Sequence, residues 1–118
     1  MLATLKEVLQ AAEDKKIAIG AFDTPNLESL CAAIAAAEEV ELPTIIMHAQ
    51  CHESLCPLDV IGPIMVEHAK KAKVPVCVML DHGEDLDYLK RSLEMGFTAV
   101  MYDGYTTPYE ENVKTTCE

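Results

Sequence analysis

The run Val74-Pro75-Val76-Cys77-Val78-Met79-Leu80, closed by Asp81-His82-Gly83, decides how this chain is read. Seven apolar residues in succession leave no polar face, so a strand here is buried on both sides, as in a parallel sheet covered by helices. The run is far shorter than the roughly 20 residues that cross a bilayer. On its N-terminal side a helix is expected from about Val60 to Lys73, with Ile61, Ile64, Met65, His68 and Ala72 on one face and Pro63 tolerated in the first turn. On its C-terminal side another helix carries Glu84, Asp85 and Asp87 at its start and Lys90 and Arg91 later, the order that the helix dipole favours. Gly96 is its C-terminal cap.

The same unit recurs in both directions. Downstream, Phe97 to Tyr102 is a strand closed by Asp103-Gly104, and Thr107-Pro108-Tyr109-Glu110 announces a helix with Thr107 as N-cap and Glu110 as its capping-box partner. Upstream, Thr44 to Met47 is a strand followed by a polar loop from about His48 to Asp59. Before it, Ile17 to Phe22 ends at Asp23, and Asn26 caps a helix that buries Leu27, Leu30, Cys31, Ile34 and Ala37 and stops before Pro43. Thr4-Leu5-Lys6-Glu7 is a capping box that opens a first helix, from about Leu5 to Asp14. The strands begin near residues 17, 44, 74 and 97, steps of 27, 30 and 23, normal for βαβ units of about 30 residues. The expectation is an α/β chain, one domain over residues 1–118, with four parallel strands in the order 1-2-3-4 preceded by an N-terminal helix. A complete (β/α)8 barrel needs about 250 residues, so the pattern has the form of a half barrel that ends inside the helix after its fourth strand.

Nine basic against twenty acidic residues give a net charge of −11, with Arg91 the only arginine. That balance argues against nucleic-acid and acidic-membrane partners, which need clustered Lys and Arg. Five cysteines without framework spacing, and no apolar signal core in Met1 to Glu7, lead to an expectation of reduced thiols in the cytoplasm. In parallel α/β folds ligands gather at the C-terminal ends of the strands. Here those ends carry Asp23, His48, Asp81 with His82, and Asp103. On one rim they would be the inventory of a metal-assisted acid/base site.

The Leu-Asp-His-Gly segment, the later run Gly96 to Gly104, Pro108-Tyr109-Glu110-Glu111-Asn112-Val113, and the opening with Gly20-Ala21-Phe22 and Asn26-Leu27-Glu28 together resemble the class II, metal-dependent ketose-bisphosphate aldolases. The resemblance covers nearly all 118 residues and the first half of a family member. It implies a TIM (β/α)8 barrel and a lyase of carbohydrate metabolism, as in glycolysis. The reaction would cleave or form a ketose (bis)phosphate through dihydroxyacetone phosphate and an aldehyde, in a homo-oligomer. It implies that His82 is a Zn2+ ligand, that Asp81 moves a proton to or from the C4 hydroxyl, and that zinc acts as a Lewis acid on the ketone. Asp103 matches an aspartate near the family's metal site. The remaining zinc histidines and phosphate loops belong to the family's second half. Asp23 stands where the family carries a substrate-contacting Asn, Ala49 falls near a frequent Ser, and Tyr105 replaces the Ser of an Asp-Gly-Ser motif.

Plainer roles stand beside these. Asp103 could cap the turn through Gly104, and Asp23 could start the turn before Asn26. His68 reads as a packed, hydrogen-bonded core residue, and Cys51, His52 and Cys56 lack the spacing of a zinc knuckle. The rival to an enzyme is a non-catalytic half barrel, a fragment or divergent paralogue that acts by self-association through its two unpaired sheet edges.

Overall fold

The computed structural model describes residues 1–118. The elements run α1 (Leu5–Lys15), β1 (Ala21–Asp23), α2 (Leu27–Glu39), β2 (Thr44–Ala49), a 3-10 turn (Gln50–Ser54), α3 (Leu58–Lys71), β3 (Val76–Gly83), α4 (Leu86–Glu94), β4 (Ala99–Tyr102) and α5 (Tyr109–Cys117). The four strands form one sheet in the order β1-β2-β3-β4, and every pairing is parallel. This is the expected topology, and it follows from strands that are apolar on both faces and separated by helices.

Residue parity along the strands sorts the sheet into two faces. Ile46, Val76, Val78 and Leu80 join Leu30 and Ile34 of α2, Leu58, Ile61 and Met65 of α3, and Tyr88 and Leu89 of α4 in one core of 17 buried residues. Each fully buried Leu or Ile there contributes about 1.5–3 kcal/mol by leaving water. The opposite face holds a cluster of four, Ile45 and Cys77 with Ala3 and Val8, so α1 closes only the N-terminal end of that face. Two bonds fasten the first residues there: the Ala3 amide donates to Val76 O at 2.9 Å, and Thr98 Oγ1 donates to Ala3 O at 2.8 Å. Toward the C-terminal ends of the strands the same face has no such cover.

Several boundaries differ from the sequence expectation. β1 is three residues long, not the six from Ile17 to Phe22. Ladder pairing begins only at Ala21↔Ile45, and the Ile17 amide turns back to Ala12 O. β2 reaches Ala49, so His48 is a strand residue and not part of a loop. α3 begins at Leu58, which puts Pro63 in the second turn of the helix. At the last helix Pro108 is the N-cap and no side chain caps it. The Thr107 hydroxyl instead donates to Gly104 O at 2.8 Å, so the expected capping box does not form. The box at Thr4 and Glu7 does form. No helix is long and apolar enough to cross a membrane.

Candidate active site

Regular pleating sends neighbouring side chains to opposite faces, so Asp81 and His82 cannot share a face in an undisturbed strand. The β3–β4 ladder breaks at this point. Leu80 pairs with Val100, and the next pair is Gly83 with Tyr102, leaving one extra residue on β3. His82 takes up the irregularity with φ of 46°, a left-handed conformation that costs a non-glycine residue about 1–2 kcal/mol. Strain of this kind persists where the surroundings over-determine it and collects at working sites. The result is that consecutive residues present their side chains to one rim.

On that rim His82 Nδ1 lies 2.6 Å from Asp103 Oδ2, and His82 Nε2 lies 3.8 Å from Asp81 Oδ2. The imidazole is 59% exposed, while Asp81 and Asp103 are 16% and 14% exposed. The bond from His82, followed by that from the Tyr105 amide at 3.3 Å, holds the Asp103 carboxyl below its ordinary range. An ionised carboxylate only accepts hydrogen bonds, so Nδ1 is the protonated nitrogen and Nε2 of the neutral ring keeps its lone pair. Asp103 raises the His82 pKa most, by this hydrogen bond; the charge of Asp81 follows, and Asp23 contributes least.

Asp103 therefore caps the turn, as its plainer reading had it, and orients His82 as well. Asp81 and Asp103 each lie against His82. Asp23, in register with Met47 on the same face, is within Coulomb reach only. His48 departs from the expected rim. It shares parity with Ile46, so it points into the helix layer, where it is 0% exposed. There Tyr88 Oη donates to Glu53 Oε2 at 2.6 Å and lies 3.2 Å from His48 Nε2. Since the phenol has one proton, His48 donates through Nε2–H, and its buried Nδ1 is left without a partner. His68, half-buried, bonds Ile64 O at 2.9 Å and is the packed residue expected. Sequence reasoning missed Gln50, Glu53 and Tyr88, whose contacts join segments more than 30 residues apart and carry no local signal.

No group of three or more His, Cys, Asp or Glu side chains is arranged to hold a metal ion. The donor chemistry of His82 nevertheless fits a single metal position. One ring nitrogen is bonded to a carboxylate and the other has a free lone pair, as in carboxylate–histidine–metal triads. The rest of a ligand set would have to come from outside these residues.

Relatives share this arrangement of elements. The chain superposes on the YdjI aldolase from Escherichia coli K12 with a TM-score of 0.90 and 32% identity, covering 98% of this chain and 45% of that one. The fructose-bisphosphate aldolase of Giardia intestinalis is 31% identical over 99% of the chain and 36% of its own length. The 6-phospho-5-dehydro-2-deoxy-D-gluconate aldolase of Halalkalibacterium halodurans is 33% identical over 99% of the chain and 42% of its own length. The chain thus spans less than half the length of each of these relatives. Its four parallel strands and their helices are one half of the aldolase TIM-barrel fold. The family model for class-II fructose-bisphosphate aldolase matches residues 3–118. With that match over nearly the whole sequence, the chain belongs to the class-II fructose-bisphosphate aldolase family.

Proposed function

We propose that residues 1–118 are the N-terminal half of a zinc-dependent aldolase barrel, a single folding unit in which Asp81 moves the proton and His82 binds the metal. The observation that carries this reading is the contact chain Asp103–His82–Asp81, built on a left-handed histidine in a strand of an aldolase-family fold. A zinc ion bound at His82 Nε2 would supply Lewis-acid polarisation of the substrate ketone. Asp103 fixes the tautomer and aim of His82 through Nδ1 and is its orienting partner. Asp81, partly exposed beside the imidazole, accepts the C4 hydroxyl proton during cleavage and returns it during condensation. Asp23 faces the same rim and contacts the substrate there; its charge disfavours an anionic group nearby and so bears on which sugar phosphate is taken.

The substrate class is a ketose phosphate or bisphosphate cleaved to dihydroxyacetone phosphate and an aldehyde. The relatives' names include both a fructose bisphosphate and a phosphorylated deoxyketogluconate, which supports the class and leaves the sugar open. The reading extends to a cytoplasmic homo-oligomer of carbohydrate metabolism, without nucleic-acid or membrane partners.

The test uses the protein with these residues in their full reading frame and measures bound zinc beside the retro-aldol rate. His82→Ala loses zinc and activity together. Asp81→Ala keeps zinc and loses about 10²–10⁴-fold in rate. Loss of zinc in Asp81→Ala with retention in His82→Ala overturns the assignment, and a wild-type protein with neither zinc nor activity favours the non-catalytic half barrel.

A further inference from the structure

The residues after His82 are held by a side chain from a different strand end. Gln50, the first residue after β2, accepts through Oε1 from the amides of Glu84 at 2.8 Å and Asp85 at 3.2 Å. These are the first two residues after β3, and Asp85 is the N-cap of α4. Three residues on, Glu53 grips α4 by accepting from Tyr88 Oη at 2.6 Å, and is itself fixed by accepting from the Leu58 amide of α3 at 2.9 Å. The Asp103 amide donates to Gly83 O at 2.8 Å, so the chain is tied on both sides of the irregularity. Gly83 packs closely under leucine side chains: a Cβ there would stand 2.4 Å from Leu89 Cδ1 and 2.9 Å from Leu80 Cδ2.

A left-handed histidine reverts to an ordinary conformation unless its neighbours prevent it. Upstream the β2–β3 ladder does so as far as Ala49↔Asp81. Downstream the unpaired amides of Glu84 and Asp85 would be free to swing, and Gln50 is the group that engages both. We infer that Gln50 is a positioning residue, which holds the β3–α4 connection so that His82 stays left-handed with its imidazole on Asp103 beside Asp81. The inference rests on the reading of Asp81 and His82 as the reacting pair and deepens it: the geometry of that pair is set from the neighbouring β2–α3 turn.

The test is made on this chain by NMR, with neither metal nor substrate. In Gln50→Leu the amides of Glu84 and Asp85 exchange about ten-fold or more faster, and the one-bond Cα–Hα coupling of His82 moves away from its left-handed value. Gln50→Glu keeps an acceptor oxygen at the same reach and restores both readouts; Gln50→Asn, too short to reach, behaves as Gln50→Leu and stands in for it should that variant not fold. A merely structural glutamine would lower the unfolding midpoint and leave the His82 coupling unchanged. Unchanged exchange in Gln50→Leu, faster exchange with an unaltered His82 coupling, or failure of Gln50→Glu to rescue overturns the inference. Because neither readout involves zinc, failure of His82 to bind metal would overturn the functional reading alone and leave the positioning role intact.

Discussion

Two histidines close adjacent strands and meet opposite fates. His48 follows the parity of β2 into the helix layer, is 0% exposed, and donates to a tyrosine. His82 breaks the parity of β3, is 59% exposed, and lies between two carboxylates. Burial holds the imidazole of His48 below its ordinary pKa, whereas the hydrogen bond that His82 donates to Asp103 and the charge of Asp81 lift that of His82. The same side chain at the same end of a neighbouring strand is thus a neutral structural element in one case and an electrostatically primed group in the other. A polar strand terminus does not mark a site; the face it lands on does.

The largest expected effect falls on the buried side. Tyr88→Phe leaves the Nε2–H of His48 without an acceptor in the core and removes the donor to Glu53, so it should cost about 1–3 kcal/mol in urea unfolding. Asp103→Asn, at the exposed histidine, should leave the midpoint nearly unchanged, because exposed ion pairs contribute little. Equal losses in the two variants would break the contrast.

A smaller effect is expected in the pH dependence. The folded-state pKa of His48 is depressed, so the unfolded chain takes up a proton near pH ~6.5 before the folded one does. The stability associated with the neutral ring is complete above about pH 6.5 and is lost as the pH falls through the depressed folded value. His82 has the opposite sign: its raised folded value favours the folded state at low pH, a contribution lost as the pH rises through that value. In His48→Gln the unfolding midpoint at about pH 5.5 should therefore rise relative to that at about pH 7.5, compared with wild type. An identical slope in the variant would show that His48 takes up its proton equally in the folded and unfolded states.

The smallest effect sharpens the contrast from the other side. Asn visits the left-handed region more readily than most residues, so His82→Asn should raise the unfolding midpoint slightly while removing the imidazole. A clear loss of stability would mean that the Asp103 contact outweighs the backbone strain. His48→Asn, in the core, should only destabilise.

Much of this molecule was legible in the sequence. Four apolar strands at regular spacing fixed their number, direction and order, and the Thr4 and Asn26 caps sit where their residues announced them. That Asp81, His82 and Asp103 share one rim was anticipated from the strand ends. Placement of His48 on the same rim was not sound, although counting from Ile46 by twos would have sent it outward. The short β1 was hidden because Ile17 to Ile19 are apolar enough for a strand, yet the helix end they follow claims the Ile17 amide. Gln50, Glu53 and Tyr88 could not be read at all, since their meaning arises only from segments brought together by folding.

The extra residue between Leu80 and Gly83 acts as a phase shift in a two-beat pattern. Leu80 and Gly83 both face the helices although three positions separate them, and the two residues enclosed, Asp81 and His82, fall on the inner beat together. A strand in regular phase offers a given rim one group for every two residues; this one offers two in succession, closer together than any other positions on a strand. Deleting one residue here would restore the rhythm and send one member of the pair into the helix layer, against Leu89. The local currency of this site is thus an interval count, and changes in chain length at this point would be far more damaging than changes in residue type nearby.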